Sequence, residues 1–85
     1  MEVIFSPHAL DDLNYWKQKH DNKTLLRVRL LIEHIQKDPF KGIGKPEPLK
    51  YNFAGMWSRR ITQEHRIIYE VSDNVITIHA LREHY

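Results

Sequence analysis

The sequence predicts an α+β domain in the order βααββββ, with two helices packed on one face of an antiparallel sheet. Two observations carry this. Apolar residues recur at helical spacing between Ala9 and Ile35, and after a glycine- and proline-rich loop at 38–48 the period switches to two. Short polar pairs then divide the second half into strand-length pieces, as consecutive hairpins require.

The 85 residues form one domain, 1–85, because chains split only at far greater length. A hydrophobic fraction of 41% supplies one modest core, and 11% aromatic residues argue against disorder. The chain has no cysteine, so no disulfide staples the core. No apolar run approaches the roughly 20 residues of a membrane span. The start, Met1-Glu2-Val3-Ile4-Phe5, lacks the basic and long apolar regions of a signal peptide, and a cytoplasmic location is expected.

Residues 2–6 read as the first strand. Ser6-Pro7 reads as a helix N-cap followed by proline at the first helical position, where its missing N–H costs nothing. Ala9, Leu13, Trp16 and His20 form one stripe, and Asp11 and Asp12 favour the helix dipole weakly. His20-Asp21-Asn22 breaks this helix, and Asp21 or Asn22 can cap the next, from about Lys23 to Lys37. Leu25, Val28, Leu31, Ile32 and Ile35 form its inner face, with Leu26 and Leu30 nearly opposite. Asp38-Pro39 stops it.

Beyond the loop, strands are expected at Leu49–Phe53, Met56–Thr62, His65–Ser72 and Val75–Arg82. Ala54-Gly55, Gln63-Glu64 and Asp73-Asn74 are the turns between them. Two-residue turns at the last two pairs set Thr62 opposite His65 and Ser72 opposite Val75. One face then collects Ile67, Tyr69, Val71, Ile76, Ile78 and Ala80 under the helices. The other collects Trp57, Arg59, Ile61, Arg66, Ile68, Glu70, Thr77, His79, Leu81 and Tyr85, with Arg66 opposite Ile61. A one-residue slip would exchange faces and bury arginine, which argues for this register.

The loop Gly44-Lys45-Pro46-Glu47-Pro48-Leu49-Lys50 holds the first chemical candidate. Each proline restricts the residue before it, so Lys45 and Glu47 are expected to be extended. Residues 41–66 carry six lysines and arginines against Glu47 and Glu64. That is either a solvated surface or a site for an anion, with phosphate first in line. Arg66 in an apolar strand either pairs with Glu70 or binds phosphate. Arg59 and Arg60 put one guanidinium on each face, and Arg59 on the outer one can reach phosphate. Trp57 and Tyr85 could stack on bases or simply pack.

Six histidines show no pair at metal-ligand spacing and no cysteine joins them, so no metal or cofactor is expected. Cutting RNA without metal needs a base for the 2′-hydroxyl, a cation for the pentacoordinate phosphoryl group, and an acid for the leaving 5′-oxygen. Glu47, Arg66 and His84 can fill these roles in that order, with Lys50 and Arg59 as further phosphate contacts. Strict alternation puts Tyr85, not His84, on the Arg66 face, so the chain must bend after Arg82 for both to serve.

The run Pro39-Phe40-x-Gly42-x-Gly44-Lys45-Pro46-Glu47-Pro48-Leu49-Lys50 resembles the YoeB toxins of the RelE superfamily. So do Gly55-x-Trp57-Ser58-Arg59-Arg60-Ile61, Glu64-His65-Arg66-x-x-Tyr69, the terminal His84-Tyr85 and the helical Asp11-Asp12-x-x-Tyr15-Trp16. The resemblance implies a RelE-like microbial ribonuclease fold and a toxin of a bacterial type II toxin–antitoxin pair that cuts mRNA in the ribosomal A site. It matches Glu47 to the general base, Arg66 to the phosphate-stabilising arginine, His84 to the general acid and Tyr85 to the terminal tyrosine. Lys50 matches a supporting basic position. It further implies a YefM-type antitoxin, action on the 70S ribosome, a toxin homodimer, and contact with operator DNA only through the antitoxin complex. Departures from the pattern lie in the helices, where antitoxin choice would be decided. Two readings of other classes stand beside this one: a ribosome-binding inhibitor that does not cut, and a DNA-binding corepressor subunit.

Overall fold

The structure, a computed structural model, describes residues 1–84. Strand β1 (Glu2–Phe5) leads into helix α1 (Pro7–Gln18) and helix α2 (Asn22–Lys37). The loop that follows ends in a two-residue strand, β2 (Glu47–Pro48), and then β3 (Met56–Arg60), β4 (Arg66–Ser72) and β5 (Val75–Glu83) complete the sheet. The helix starts agree with the sequence. Ser6 Oγ accepts from the Ala9 N–H at 3.0 Å, and Asp21 Oδ1 accepts from the Thr24 N–H at 3.1 Å. Between the helices His20 takes a left-handed φ of 54°, which ends α1.

The strand order is β1-β5-β4-β3-β2. The hairpins are antiparallel as expected, but β1 runs parallel to β5, with Glu2 opposite Val75 and Phe5 opposite Ile78, so the sheet is mixed. The two helices are the crossover that such a pairing needs. Ala9 and Trp16 of α1 and Val28, Leu31 and Ile35 of α2 bury against Ile67, Tyr69, Ile76 and Ile78.

Three expectations fail, each for a local reason. Residues 49–53 are not a strand. Tyr51 has a left-handed φ of 57° and Tyr51–Phe53 coil into a 3-10 turn, leaving only Glu47–Pro48 paired with Ser58 and Trp57. Lys45 is not extended but left-handed, at φ 56°. The β3–β4 turn is three residues long, not two. Ile61 and Thr62 both donate main-chain N–H groups to the His65 carbonyl, and Thr62 Oγ1 accepts from the N–H groups of Glu64 and His65. A two-residue hairpin turn needs positive φ where Gln63 and Glu64 resist it, so the threonine hydroxyl closes a longer loop instead.

The extra residue slips the register by one and turns β3 over. Arg60, not Ile61, lies opposite Arg66, and Arg59 lies opposite Ile67 on the helix side. Arg59, expected on the outer face as a phosphate contact, is 0% exposed. Burial of an arginine is the consequence expected to forbid this slip, and the fold accommodates it by satisfying the guanidinium. Its Nε donates to Tyr69 Oη at 3.1 Å, Nη1 to the Ile43 carbonyl at 3.2 Å, and Nη2 to the carbonyls of Asp38 and Lys41 at 2.6 and 3.0 Å. Tyr69 Oη in turn donates to the Pro39 carbonyl at 2.6 Å. Burial pushes the Tyr69 phenol above its ordinary range, against the pull of Arg59, so it keeps the proton it donates.

Arg59→Met is expected to destabilise the domain by about 3 kcal/mol, since it strands loop carbonyls in the interior. Urea unfolding followed by tryptophan fluorescence measures this. A loss below about 0.5 kcal/mol, the size of an ordinary surface change, would mean that the guanidinium does not hold the loop.

Candidate functional site

The loop held by Arg59 delivers Glu47 to the sheet. Gly42 and Gly44 both have positive φ, and a Cβ on Gly44 would stand 2.8 Å from Leu31 Cδ2 and 3.1 Å from Arg59 Cβ. Glycine is therefore required for the loop to lie against α2 and β3. The Gly44 carbonyl accepts from the Arg60 N–H at 2.7 Å, and Glu47 further along the loop begins β2 opposite Ser58. Glu47 is exposed. Ser58 lies opposite Ile68, so Glu47, Ser58 and Ile68 share the outer face, and Arg66 lies two residues from Ile68 on that face.

Arg66 is half-buried. Its alternative partner, Glu70, is taken: Glu70 Oε1 lies 3.0 Å from His79 Nε2. Among the described residues Arg66 makes no salt bridge, which leaves its guanidinium available to an anion. Lys50 is exposed and opens the 3-10 turn beside Glu47. Trp57, expected on the outer face, moves to the inner one with Arg59 and packs against Phe40 at 4.8 Å.

The last strand reaches the site through two bulges. Tyr69 lies opposite Ile78, but Ile68 lies opposite Ala80 and Arg66 opposite Glu83, so β5 carries two more residues than β4 over this stretch. Helix α1 satisfies the main-chain groups that leave the ladder. Ser6 Oγ donates to the His79 carbonyl at 3.1 Å. Asp12 Oδ2 accepts from the Leu81 N–H at 2.9 Å, and Trp16 Nε1 donates to the Leu81 carbonyl at 3.0 Å. Asp12 thus serves β5 rather than the helix dipole. The bend comes before Arg82, and it sets Glu83 across from Arg66. No hydrophobic period could reveal Glu83, because it depends on two bulges.

His84 stands just beyond the end of β5. Its ring packs edge-on against His65 at 4.7 Å, and His65 packs against Trp16 of α1 at 5.1 Å. Tyr85 lies outside the described residues. The stack gathers residues the sequence did not single out: metal-ligand atoms of Glu64, His65 and His84 lie within 4.8 Å of one another. The 19-residue gap between the two histidines hides the pair from any spacing rule.

Asp12→Ala leaves the Leu81 N–H buried without a partner, which is expected to cost about 2 kcal/mol. It should also speed amide exchange at Leu81 and Arg82. Unchanged exchange there would mean that the bulge stands without the helix.

The family model for the YoeB-like toxin of bacterial type II toxin–antitoxin systems matches residues 5–85. The chain is 47% identical over 85 residues to Toxin YoeB of Escherichia coli K12, covering all of both chains. It superposes with a TM-score of 0.89 on a chain of a YoeB–YefM complex from Staphylococcus aureus, at 41% identity, covering 100% of this chain and 98% of that one. A YoeB dimer from the same organism gives 0.90 at 42% identity with the same coverage. The chain belongs to the YoeB-like toxins of bacterial type II toxin–antitoxin systems.

Proposed function

We propose that this toxin is a metal-independent endoribonuclease that cuts mRNA in the A site of the 70S ribosome and so stops translation. The observation that carries the reading is Arg66: a half-buried guanidinium, without an ion pair among the described residues, on the same sheet face as Glu47. An unpaired cation held by a strand is suited to a phosphoryl group that gains charge in the transition state. Glu47 removes the 2′-hydroxyl proton. The 2′-oxygen attacks phosphorus, Arg66 stabilises the pentacoordinate group, and the P–O5′ bond breaks as the acid protonates the 5′-oxygen. Lys50 contributes a further phosphate contact. Arg59 has no part in this scheme, since its donors are spent on the loop.

His84 is the proposed acid, and Tyr85 a further substrate contact. His84 rests edge-on against His65, and its service as the acid requires the ring to turn a proton toward the 5′-oxygen. A carboxylate is also a weak base for a hydroxyl. Both features support dependence on the ribosome, which would hold the mRNA in line with the groups. The proposed partners follow: mRNA, the 70S ribosome, a YefM-type antitoxin, a second copy of the chain, and operator DNA only through the antitoxin complex. Action on ribosomes would place the toxin in the cytoplasm. Among the described residues no helix is long and apolar enough to cross a membrane.

Glu47→Ala and His84→Ala are each expected to lower mRNA cleavage on translating ribosomes at least about 100-fold, the lower range for a general acid or base, while ribosome binding survives. Arg66→Gln should lose cleavage with under about 1 kcal/mol of stability, because no ion pair is broken. Primer extension on programmed ribosomes and co-sedimentation measure the two properties. If the Glu47 and His84 variants still block translation, the non-cutting inhibitor is the better description. Equal cleavage of free and ribosome-bound mRNA would remove the ribosome from the mechanism.

A further inference from the structure

The stack that holds His84 has the composition of a metal site. Two imidazoles and one carboxylate, with a fourth position left open, are a donor set suited to Zn²⁺. Glu64 sits in the β3–β4 loop, His65 at its end and His84 just beyond β5, and their ligand atoms lie within 4.8 Å of one another. Tetrahedral zinc with bonds of ordinary length needs donors about 3.3 Å apart. Glu64 and His84 are exposed and can close that difference by side-chain rotation.

His65 supplies the fixed point. It is half-buried against Trp16, and Trp16 is anchored on the Leu81 carbonyl. Its Nδ1 is buried and has no hydrogen-bond partner. Coordination of Zn²⁺ through Nδ1 would give that nitrogen the partner it lacks. Nothing competes for the set. Among the described residues Glu64, His65 and His84 enter no salt bridge, whereas His79 is held by Glu70, and His8 faces Asp12 and Glu83.

We propose that Glu64, His65 and His84 form an inhibitory Zn²⁺ site. The inference rests on His84 being the general acid. Zinc takes the lone pair that would carry its proton and fixes its ring beside His65. The metal is an inhibitor here and takes no part in the cleavage step. The site needs neutral imidazoles, so protons compete with the metal.

The test uses the full chain freed of antitoxin, with Zn²⁺ titrated against a chromophoric chelator and binding followed independently by tryptophan fluorescence. One equivalent of Zn²⁺ is expected to bind. Glu64→Gln and His84→Gln should each weaken it at least about tenfold, as losses around metal sites do, and His79→Gln should leave it unchanged. Binding that is equal in all four proteins, or no competition with the chelator, overturns the site. In the cleavage assay Glu64→Gln should match the parent without zinc and resist inhibition with it. Inhibition of both proteins at the same zinc concentration overturns the role of the site. Should the parent not cleave at all, the nuclease reading fails while the chelator titration still decides the site.

Discussion

The buried guanidinium of Arg59 is the constraint on which the rest depends. It carries a charge into the interior with no salt bridge among the described residues, which costs several kcal/mol before compensation. Compensation comes from the carbonyls of Asp38, Lys41 and Ile43 and the Tyr69 hydroxyl, with the tyrosine ring 5.8 Å from the guanidinium carbon. The carbonyls belong to a loop with almost no ladder of its own, so the cation is the loop's secondary structure. The loop gains an ordered path, and Glu47 starts β2 at a defined height on the sheet. Lysine could not replace it, because the donors must diverge from one plane toward separate carbonyls. Two glycines complete the arrangement, since any side chain at 44 would meet Leu31 and Arg59 itself.

The other end of the site depends on α1. A bulge frees main-chain groups that would otherwise pair across the sheet, and a buried orphan would be expensive. Ser6, Asp12 and Trp16 spend their polar atoms on those groups. Trp16 does so while lending its ring to the core and to His65. One helix face thereby sets the bend of β5 and the seat of the histidine stack. Asp12, which reads from sequence as a dipole partner, is a structural tie to the last strand.

The helices and the Asp73-Asn74 turn were legible because each follows from a local rule. That turn takes positive φ at both residues, and Ser72 lies opposite Val75 as expected. The faces of β3 were not legible. They hinge on the length of one loop, and Thr62 decides that length through two hydrogen bonds that no periodicity encodes. From this single residue follow the burial of Arg59, the move of Trp57 inward and the pairing of Arg60 with Arg66. Of the candidate site, Glu47 and Arg66 fall on one face of the sheet. The position of His84 was not readable, because the bulges of β5 are stabilised by residues some 70 positions earlier in the chain.

The resting place of His84 constrains any mechanism. An edge-on ring pair is worth about 1 kcal/mol beyond the area it buries. Substrate contacts can repay that many times over, so the stack is a parking position and not a lock. What the free chain lacks is therefore not the ability to release the acid but a reason to hold it elsewhere. Glu47, Arg66 and His84 approach from a short edge strand, an inner strand and the end of a third, with no hydrogen bond joining them among the described residues. Such a site has little preorganisation of its own. Under the proposed reaction, alignment of the 2′-oxygen, phosphorus and 5′-oxygen must come from whatever holds the RNA, and effective molarities of about 10⁵ M or more are available from that source alone. Zinc would act at the same weak point: a single additional ligand is enough to convert a parking position into a lock.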